Sequence, residues 1–117
     1  MRYDRTMTKI DRRRGSDRRE NDRHGVSIDI QWENLAGRRP GTVNDLSVSG
    51  CFLLSGGEVE DGDTIKIYFP SREGEQMQVW GRIVNHVFEV GFAVRFVNLT
   101  EQQSTFLSDL IESIRIG

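Results

Sequence analysis

The stretch that decides the fold is Val26-Ser27-Ile28-Asp29-Ile30-Gln31-Trp32-Glu33, where apolar and polar residues alternate strictly. A period of two is typical of a β-strand that buries one face. Before this stretch, residues 1–25 contain a single Leu, Ile, Val or Phe residue, which is Ile10. The sequence therefore predicts that the packed core begins at Val26.

Five further segments with strand patterning follow, and short turn signals such as Asp61-Gly62-Asp63 separate them. The predicted strands are Thr42–Leu46, Cys51–Ser55, Thr64–Phe69, Gln76–Ile83 and Val90–Val97. The stretch Asn34–Gly41 is predicted as a turn-rich connection. Six short strands joined by turns predict an all-β fold, an antiparallel barrel or sandwich.

The end of the chain has a different period. Thr100-Glu101-Gln102-Gln103 fits a capping box, in which the first and last residues satisfy each other's backbone amides. An apolar stripe at helical spacing follows, made of Phe106, Leu107, Leu110, Ile111 and Ile114. We predict an amphipathic helix over residues 101–115 that packs against the strands.

The net charge of −2 conceals two unlike parts. Residues 1–25 hold nine basic and five acidic residues, so they carry +4, whereas residues 26–117 hold seven and thirteen and carry −6. Polar, highly charged segments rarely bury enough apolar surface to fold. We expect residues 1–17 to form a flexible charged arm and residues 18–117 to form the folded domain.

Composition and missing motifs exclude several classes of protein. The pI of about 5.7 is far from that of a generic basic nucleic-acid-binding domain. There is no apolar run long enough to cross a bilayer and no secretory signal, so we expect a cytoplasmic protein. The single cysteine, Cys51, lies in an apolar run and is expected to be a small buried hydrophobe.

The sequence also lacks the common catalytic and cofactor motifs. It has no G-x-G-x-x-G and no G-x-S-x-G, and Asp63 stands where a phosphate-binding loop with the spacing Gly57–Gly62 would need a lysine. His24 and His86 belong to no metal-binding spacing. We therefore expect no enzymatic activity, no metal site and no cofactor.

Two short motifs remain. Arg19–Arg23 is an R-x-x-x-R preceded by Arg18, and Asp45–Gly50 is a D-x-S-x-x-G. Either motif alone is common, because the second is also an ordinary polar turn. Antiparallel pairing of the first two strands, however, would bring the arginines beside the turn at one end of the fold.

In these motifs the sequence resembles the PilZ domain family, bacterial receptors for the second messenger cyclic di-GMP. The resemblance extends over residues 18–115 and includes Gly91–Phe96, which is similar to a strand of that family. It implies a six-stranded antiparallel β-barrel with a C-terminal α-helix. The copy of R-x-x-x-R at Arg14 and Arg18 lies too early before the first strand.

The resemblance assigns roles that suit the ligand, which has two guanines and two phosphodiesters. Arg19 and Arg23 would bind guanine and phosphate through their forked guanidinium groups. Asp45 would accept hydrogen bonds from the guanine edge, Ser47 would supply a hydroxyl, and Gly50 would allow close approach of the backbone. The implied site residues are Arg18, Arg19, Arg23, Asp45, Ser47 and Gly50, with Arg95 a secondary candidate.

The resemblance implies that the residue before R-x-x-x-R influences whether one ligand or a stacked pair binds. Arg18 at that position favours an intercalated cyclic di-GMP dimer, because a further arginine can stack on a further base. The resemblance implies a receptor whose arm becomes ordered on binding and which signals to a downstream protein that the sequence does not identify. Two alternatives stay open: a degenerate PilZ-like protein-interaction module without nucleotide binding, and a small β-barrel that binds RNA or single-stranded DNA.

Overall fold

A computed structural model describes residues 23–71 and 74–116 of the chain, with side chains as far as Ile114. The described residues form six β-strands followed by an α-helix. In chain order these are β1 His24–Asn34, β2 Gly37–Leu46, β3 Gly50–Leu54, β4 Thr64–Pro70, β5 Gln76–Val87, β6 Gly91–Phe96 and α1 Glu101–Ile116.

The strands form a closed barrel in the order β1-β2-β3-β6-β5-β4. Every neighbouring pair is antiparallel, and β4 pairs back onto β1 with Ile67 opposite Trp32. Closure gives each of the six described strands a partner on both sides along at least part of its length, so none of them is an edge strand. The prediction of a six-stranded antiparallel β-barrel with a C-terminal helix is confirmed.

The alternating apolar residues line the inside of the barrel, as their period predicts. Trp32 is fully buried and meets Phe92 edge to face, with ring centroids 5.1 Å apart. Its indole nitrogen donates a hydrogen bond of 2.9 Å to the Ser55 hydroxyl, so the polar atom of this large side chain is satisfied. Val26 and Ile28 are half-buried against this core, and the buried residues of β1 begin at Ile30.

The second strand is longer than the sequence predicts. It begins at Gly37 rather than Thr42, and only Leu35 and Ala36 turn the chain between β1 and β2. Pairing with β3 begins at Thr42, so the earlier part of β2 is bonded on one side alone. Pro40 is tolerated there because a strand position without a second neighbour does not need its missing N–H.

The β5–β6 hairpin also departs from the predicted limits. β5 continues to Val87, whereas β6 begins at Gly91, so Val90 lies in the turn and not in a strand. Val84, Val87 and Phe88 are exposed, because this hairpin extends past the core. A strand segment without a buried face has no alternation of apolar and polar residues, so the sequence does not show where that strand ends.

Helix α1 begins with the predicted capping box. The Gln103 amide donates to the Thr100 hydroxyl at 3.1 Å, and the Gln103 side chain accepts from the Thr100 amide at 2.7 Å. The helix packs on the barrel, where the rings of Phe106 and Phe69 lie 6.2 Å apart. Among the described residues, no helix is long and apolar enough to span a membrane.

Cys51 is fully buried at the start of β3, as predicted, and burial raises the pKa of its thiol to about 12. We expect a thiol reagent such as dithionitrobenzoate at pH 8 to leave the folded protein unmodified, because thiolate is the reacting form. After unfolding in urea, one equivalent should react at the rate of a free cysteine. Reaction of the folded protein at that same rate would contradict the packing described here.

Candidate functional site

The pairing of β1 with β2 brings the two sequence motifs together. Gly25 lies opposite Asp45, and Arg23 immediately precedes β1. A guanidinium nitrogen of Arg23 lies 3.7 Å from Oδ1 of Asp45, and both side chains are partly exposed. The expectation that antiparallel pairing would bring the start of β1 beside the end of β2 is therefore met at Arg23 and Asp45.

Asp45 reaches the outer surface because β2 carries a β-bulge. Val43 pairs with Leu53 but Asp45 pairs with Phe52, so Asn44 is an additional residue on β2. Val43 and Leu46 are both fully buried, although simple alternation would place them on opposite faces. The bulge shifts the alternation by one residue, which turns Leu46 into the core and Asp45 out of it.

One oxygen of Asp45 has unused hydrogen-bonding capacity. Oδ1 is inaccessible to solvent and accepts no hydrogen bond from the described residues. The Arg23 nitrogen at 3.7 Å is close enough to form an ion pair but too far to donate a hydrogen bond. Buried acceptors of this kind are rare in folded proteins, and a bound ligand is one way in which they are completed.

The turn after β2 is held by its own serine. The Ser47 hydroxyl accepts hydrogen bonds from the amides of Ser49 and Gly50, each at 3.2 Å, and the Ser47 amide donates to the Gly50 carbonyl at 2.9 Å. Ser47 is buried. The hydroxyl predicted to contact the ligand therefore also fixes the conformation of the turn, as in other serine-centred turns.

Gly50 is required by the packing of strand on strand. A Cβ at this position would overlap the carbonyl oxygen of Val94 on β6 and would lie 3.3 Å from the Cα of Arg95. The amide of Phe96 donates to the Ser49 carbonyl at 2.9 Å, which fastens the turn to the same strand. The packing of β6 on β3 thus requires glycine at this position, and close approach of a ligand to Gly50 stays a prediction.

Two of the predicted site residues, Arg18 and Arg19, lie outside the described residues. Arg95, the secondary candidate, pairs with Gly50 and is exposed, opposite in direction to the buried Phe92 and Phe96. The structure therefore places Arg23, Asp45, Ser47, Gly50 and Arg95 at one end of the barrel.

Sequence reasoning missed two features of this end. The bulge at Asn44 had a signal, because the adjacent polar residues Asn44 and Asp45 interrupt the alternation between Val43 and Leu46. The pairing of Arg95 with Arg82 was also not predicted. It depends on the register between β5 and β6, which no local pattern reveals.

The opposite end of the barrel is acidic. A groove of about 840 Å³ lies there between residues 55–63 and the β5–β6 hairpin. Four acidic residues line the groove, namely Glu58, Glu60, Asp63 and Glu89. Their negative charge disfavours an anionic ligand there. Within the described part of the chain, no cluster of three or more His, Cys, Asp or Glu side chains could hold a metal ion.

Comparison with known proteins gives one family. The sequence profile described as PilZ domain matches residues 17–113. No curated protein sequence matches the chain.

Several solved structures share the fold, and three of them are described here. The PilZ domain of CeSA from a cellulose-synthesizing bacterium is 18% identical with a TM-score of 0.65, and the match covers 81% of this chain and 99% of that one. The PlzA protein of Borreliella burgdorferi, in complex with cyclic di-GMP, is 12% identical with a TM-score of 0.63 and coverage of 81% and 41%. The Bacillus subtilis inhibitor of motility, MotI/DgrA, is 12% identical with a TM-score of 0.63 and coverage of 80% and 49%.

The close contact at Gly50 predicts a large effect of a single methyl group. Gly50→Ala should lower the free energy of unfolding by about 2 kcal/mol, because the neighbouring backbone of β6 cannot move aside without strain. Gly25→Ala is the matched control, since no atom lies within 4 Å of a Cβ there. Urea titration followed by tryptophan fluorescence measures both, and equal stability of the two variants would refute the contact.

Proposed function

The chain belongs to the PilZ domain family, a family of regulatory modules that binds cyclic di-GMP, and we propose that this protein is a receptor for that dinucleotide. The proposal places the ligand at the end of the barrel where the β2–β3 turn meets the residues before β1. The receptor role requires binding and no chemical step.

The observation that carries the proposal is the unsatisfied Oδ1 of Asp45. The Watson–Crick edge of guanine presents two neighbouring donors, N1–H and the exocyclic amino group, which match the two oxygens of a carboxylate. Hydrogen bonds to a charged acceptor contribute about 1.5–3 kcal/mol each. A bound guanine would supply the donors that Asp45 lacks, so the site is complementary to this base.

Arg23 gives the site its positive charge. Its contact with Asp45 is a partly exposed ion pair, and such pairs contribute about 0–1 kcal/mol to stability. The guanidinium can therefore turn from the carboxylate to a phosphodiester or a guanine face at little cost. We assign Arg19 to the same task, because the spacing R-x-x-x-R repeats the forked donor four residues earlier in the chain.

The turn provides a fixed surface for this recognition. Ser47 holds the amides of Ser49 and Gly50 in place, and the Phe96 amide anchors the Ser49 carbonyl. A ligand that binds to a preformed surface loses less free energy to ordering of the protein. We propose that Ser47 and Gly50 serve the site chiefly by holding this surface.

The arginines before β1 connect binding to signalling. We propose that the ligand's phosphodiesters neutralise Arg19 and Arg23 and draw the segment that carries them against the end of the barrel. Ordering of that segment would change the surface presented to a downstream partner protein. Because the ordering depends on the ligand, the changed surface would report that the ligand is bound. The ligand can shift the protein towards the state with the ordered segment only as far as its affinity for that state exceeds its affinity for the other.

Removal of either arginine should separate binding from stability. We expect Arg23→Ala and Arg19→Ala to weaken cyclic di-GMP binding by at least tenfold, because each deletes charge-assisted contacts. The melting temperature of the free protein should stay within about 2 °C of the unaltered chain. Arg38→Ala, near the start of β2 where it pairs with Glu33, is the matched control and should bind normally. Calorimetric titration and thermal unfolding give the two measurements.

The same titration distinguishes the alternatives. No binding of cyclic di-GMP by the unaltered protein would favour a protein-interaction module and contradict the receptor. Tighter binding of a random-sequence oligonucleotide, weakened strongly between 50 and 200 mM salt, would favour a nucleic-acid-binding barrel.

Ligand stoichiometry tests the role of Arg18. We propose that this arginine stacks on an additional base and supports a stacked pair of ligands, so calorimetry should give two molecules of cyclic di-GMP per chain. Arg18→Ala should reduce the number towards one, because the second molecule loses its stacking partner. A stoichiometry of one for the unaltered protein would contradict the pair.

A further inference from the structure

The groove at the acidic end of the barrel has an apolar wall that the described residues leave uncovered. Phe88, in the turn of the β5–β6 hairpin, is 81% exposed, and the neighbouring Val87 is 46% exposed. Both line the groove of about 840 Å³, and Val59 lines it from the segment 55–63. Exposed apolar surface with a polar rim often marks a place where another segment or molecule binds.

Hydrogen bonds hold the two walls of this groove together. The Gly62 amide donates to the Ile83 carbonyl at 2.6 Å, and the Ile83 amide donates to the Asp63 carbonyl at 2.8 Å. Nδ1 of His86 on the hairpin lies 2.9 Å from a carboxylate oxygen of Asp61. The groove is therefore preformed, and a segment that enters it does not have to order the walls.

The rim of the groove carries negative charge that is not neutralised by the described part of the chain. Glu58, Glu60 and Glu89 line the groove and are exposed, and in the ranges 23–71 and 74–116 they form no ion pair. Arg39 lies close to Gly57, and it makes no ion pair with these carboxylates either. The groove is therefore complementary to a segment that combines basic and apolar side chains.

The chain itself contains a segment of this composition. Residues 1–14 hold six basic and two acidic residues, so they carry +4. Tyr3, Met7 and Ile10 add apolar side chains between the basic ones. A second barrel is a poorer occupant, because residues 26–117 carry −6 and like charges repel.

This segment is long enough to reach the groove. Arg23 contacts Asp45 at the other end of the barrel, near the start of β3 at Gly50. From Gly50 to Ser55, which lines the groove, is five residue steps of extended chain, about 17 Å. The nine steps from Arg14 to Arg23 can span about 30 Å. A tether of this length gives an effective concentration in the millimolar range, so modest complementarity is sufficient.

We propose that residues 1–14 dock in the acidic groove of their own chain. Their basic side chains neutralise Glu58, Glu60 and Glu89, and their apolar side chains cover Phe88 and Val87. Residues 18–23 stay at the opposite end of the barrel, so the docking neither needs cyclic di-GMP nor blocks the proposed site. The inference is therefore independent of the proposed function.

A spin label in the arm tests the docking in the full chain without any ligand. In a Thr8→Cys variant, a thiol-reactive nitroxide should attach at residue 8 alone, because Cys51 is fully buried. We expect the nitroxide to broaden the NMR signals of the Val59, Val87 and Phe88 amides relative to the same sample after reduction of the label. Raising the salt from about 0.1 M to about 1 M shortens the screening length from about 10 Å to about 3 Å and should weaken the broadening.

Charge variants show whether the rim holds the arm. In the Thr8→Cys background, the combined substitutions Glu58→Gln, Glu60→Gln and Glu89→Gln should abolish the broadening. Asp109→Asn is the matched control, because it removes an exposed carboxylate from α1 and should leave the broadening unchanged. Equal broadening in the triple variant and the control would overturn the role assigned to these carboxylates.

Two further results would overturn the proposal. One is an absence of broadening at the groove when the rim is intact, which would leave the surface to a partner protein. The other is full broadening in a mixture in which the nitroxide and the NMR isotope are on different copies, since the arm would then bind a second chain. Neither result bears on cyclic di-GMP, so the receptor proposal stands or falls separately.

Discussion

The close approach of β3 to β6 at Gly50 is the constraint on which the candidate site depends. A side chain at this position would overlap the Val94 carbonyl, so only glycine lets the two strands meet there. That approach, together with the hydrogen bond from Phe96 to Ser49, fixes the β2–β3 turn against the barrel. Once the turn is fixed, Asp45 before it and Arg95 beside it are held on the same surface by the sheet. The contact at Gly50 therefore serves both the packing of the barrel and the geometry of the candidate site.

How far the sequence predicts this arrangement depends on the kind of contact. The alternation in β1 and the two short motifs predict the barrel and the proximity of Arg23 to Asp45. They can do so because β1 and β2 form a hairpin, and the pairing of a hairpin is set by residues close together in the sequence. The outward direction of Asp45 depends on the bulge at Asn44, whose signal in the sequence is the adjacent polar pair Asn44 and Asp45, but the pairing with β3 that confirms the bulge is visible only in the structure. The pairing of Arg82 with Arg95 is likewise visible only there. Register between strands arises from packing of the whole barrel, and neither residue carries a local signal of its partner.

Charge is distributed along the barrel in a way that the net value hides. Asp61 and the acidic groove lie at the end formed by the β5–β6 hairpin, where Asp61 pairs with His86 at 2.9 Å. The other end holds Arg23 and Arg95 as well as Asp45. An anion is thereby disfavoured at the acidic groove. The proposed dinucleotide site lies at the end with Arg23 and Arg95, whereas the groove of about 840 Å³ is lined by acidic residues.

In the proposed receptor, the β2–β3 turn is formed before the ligand arrives and only the segment before β1 responds. Amide hydrogen exchange measured by NMR, with and without cyclic di-GMP, tests it directly. The amides of Ser49 and Gly50 should be protected in the free protein and change little, because the Ser47 hydroxyl already accepts their hydrogen bonds. New protection should be confined to residues up to Gly25 at the start of β1. Rapid exchange of the turn amides in the free protein, with protection only on adding the ligand, would contradict the account.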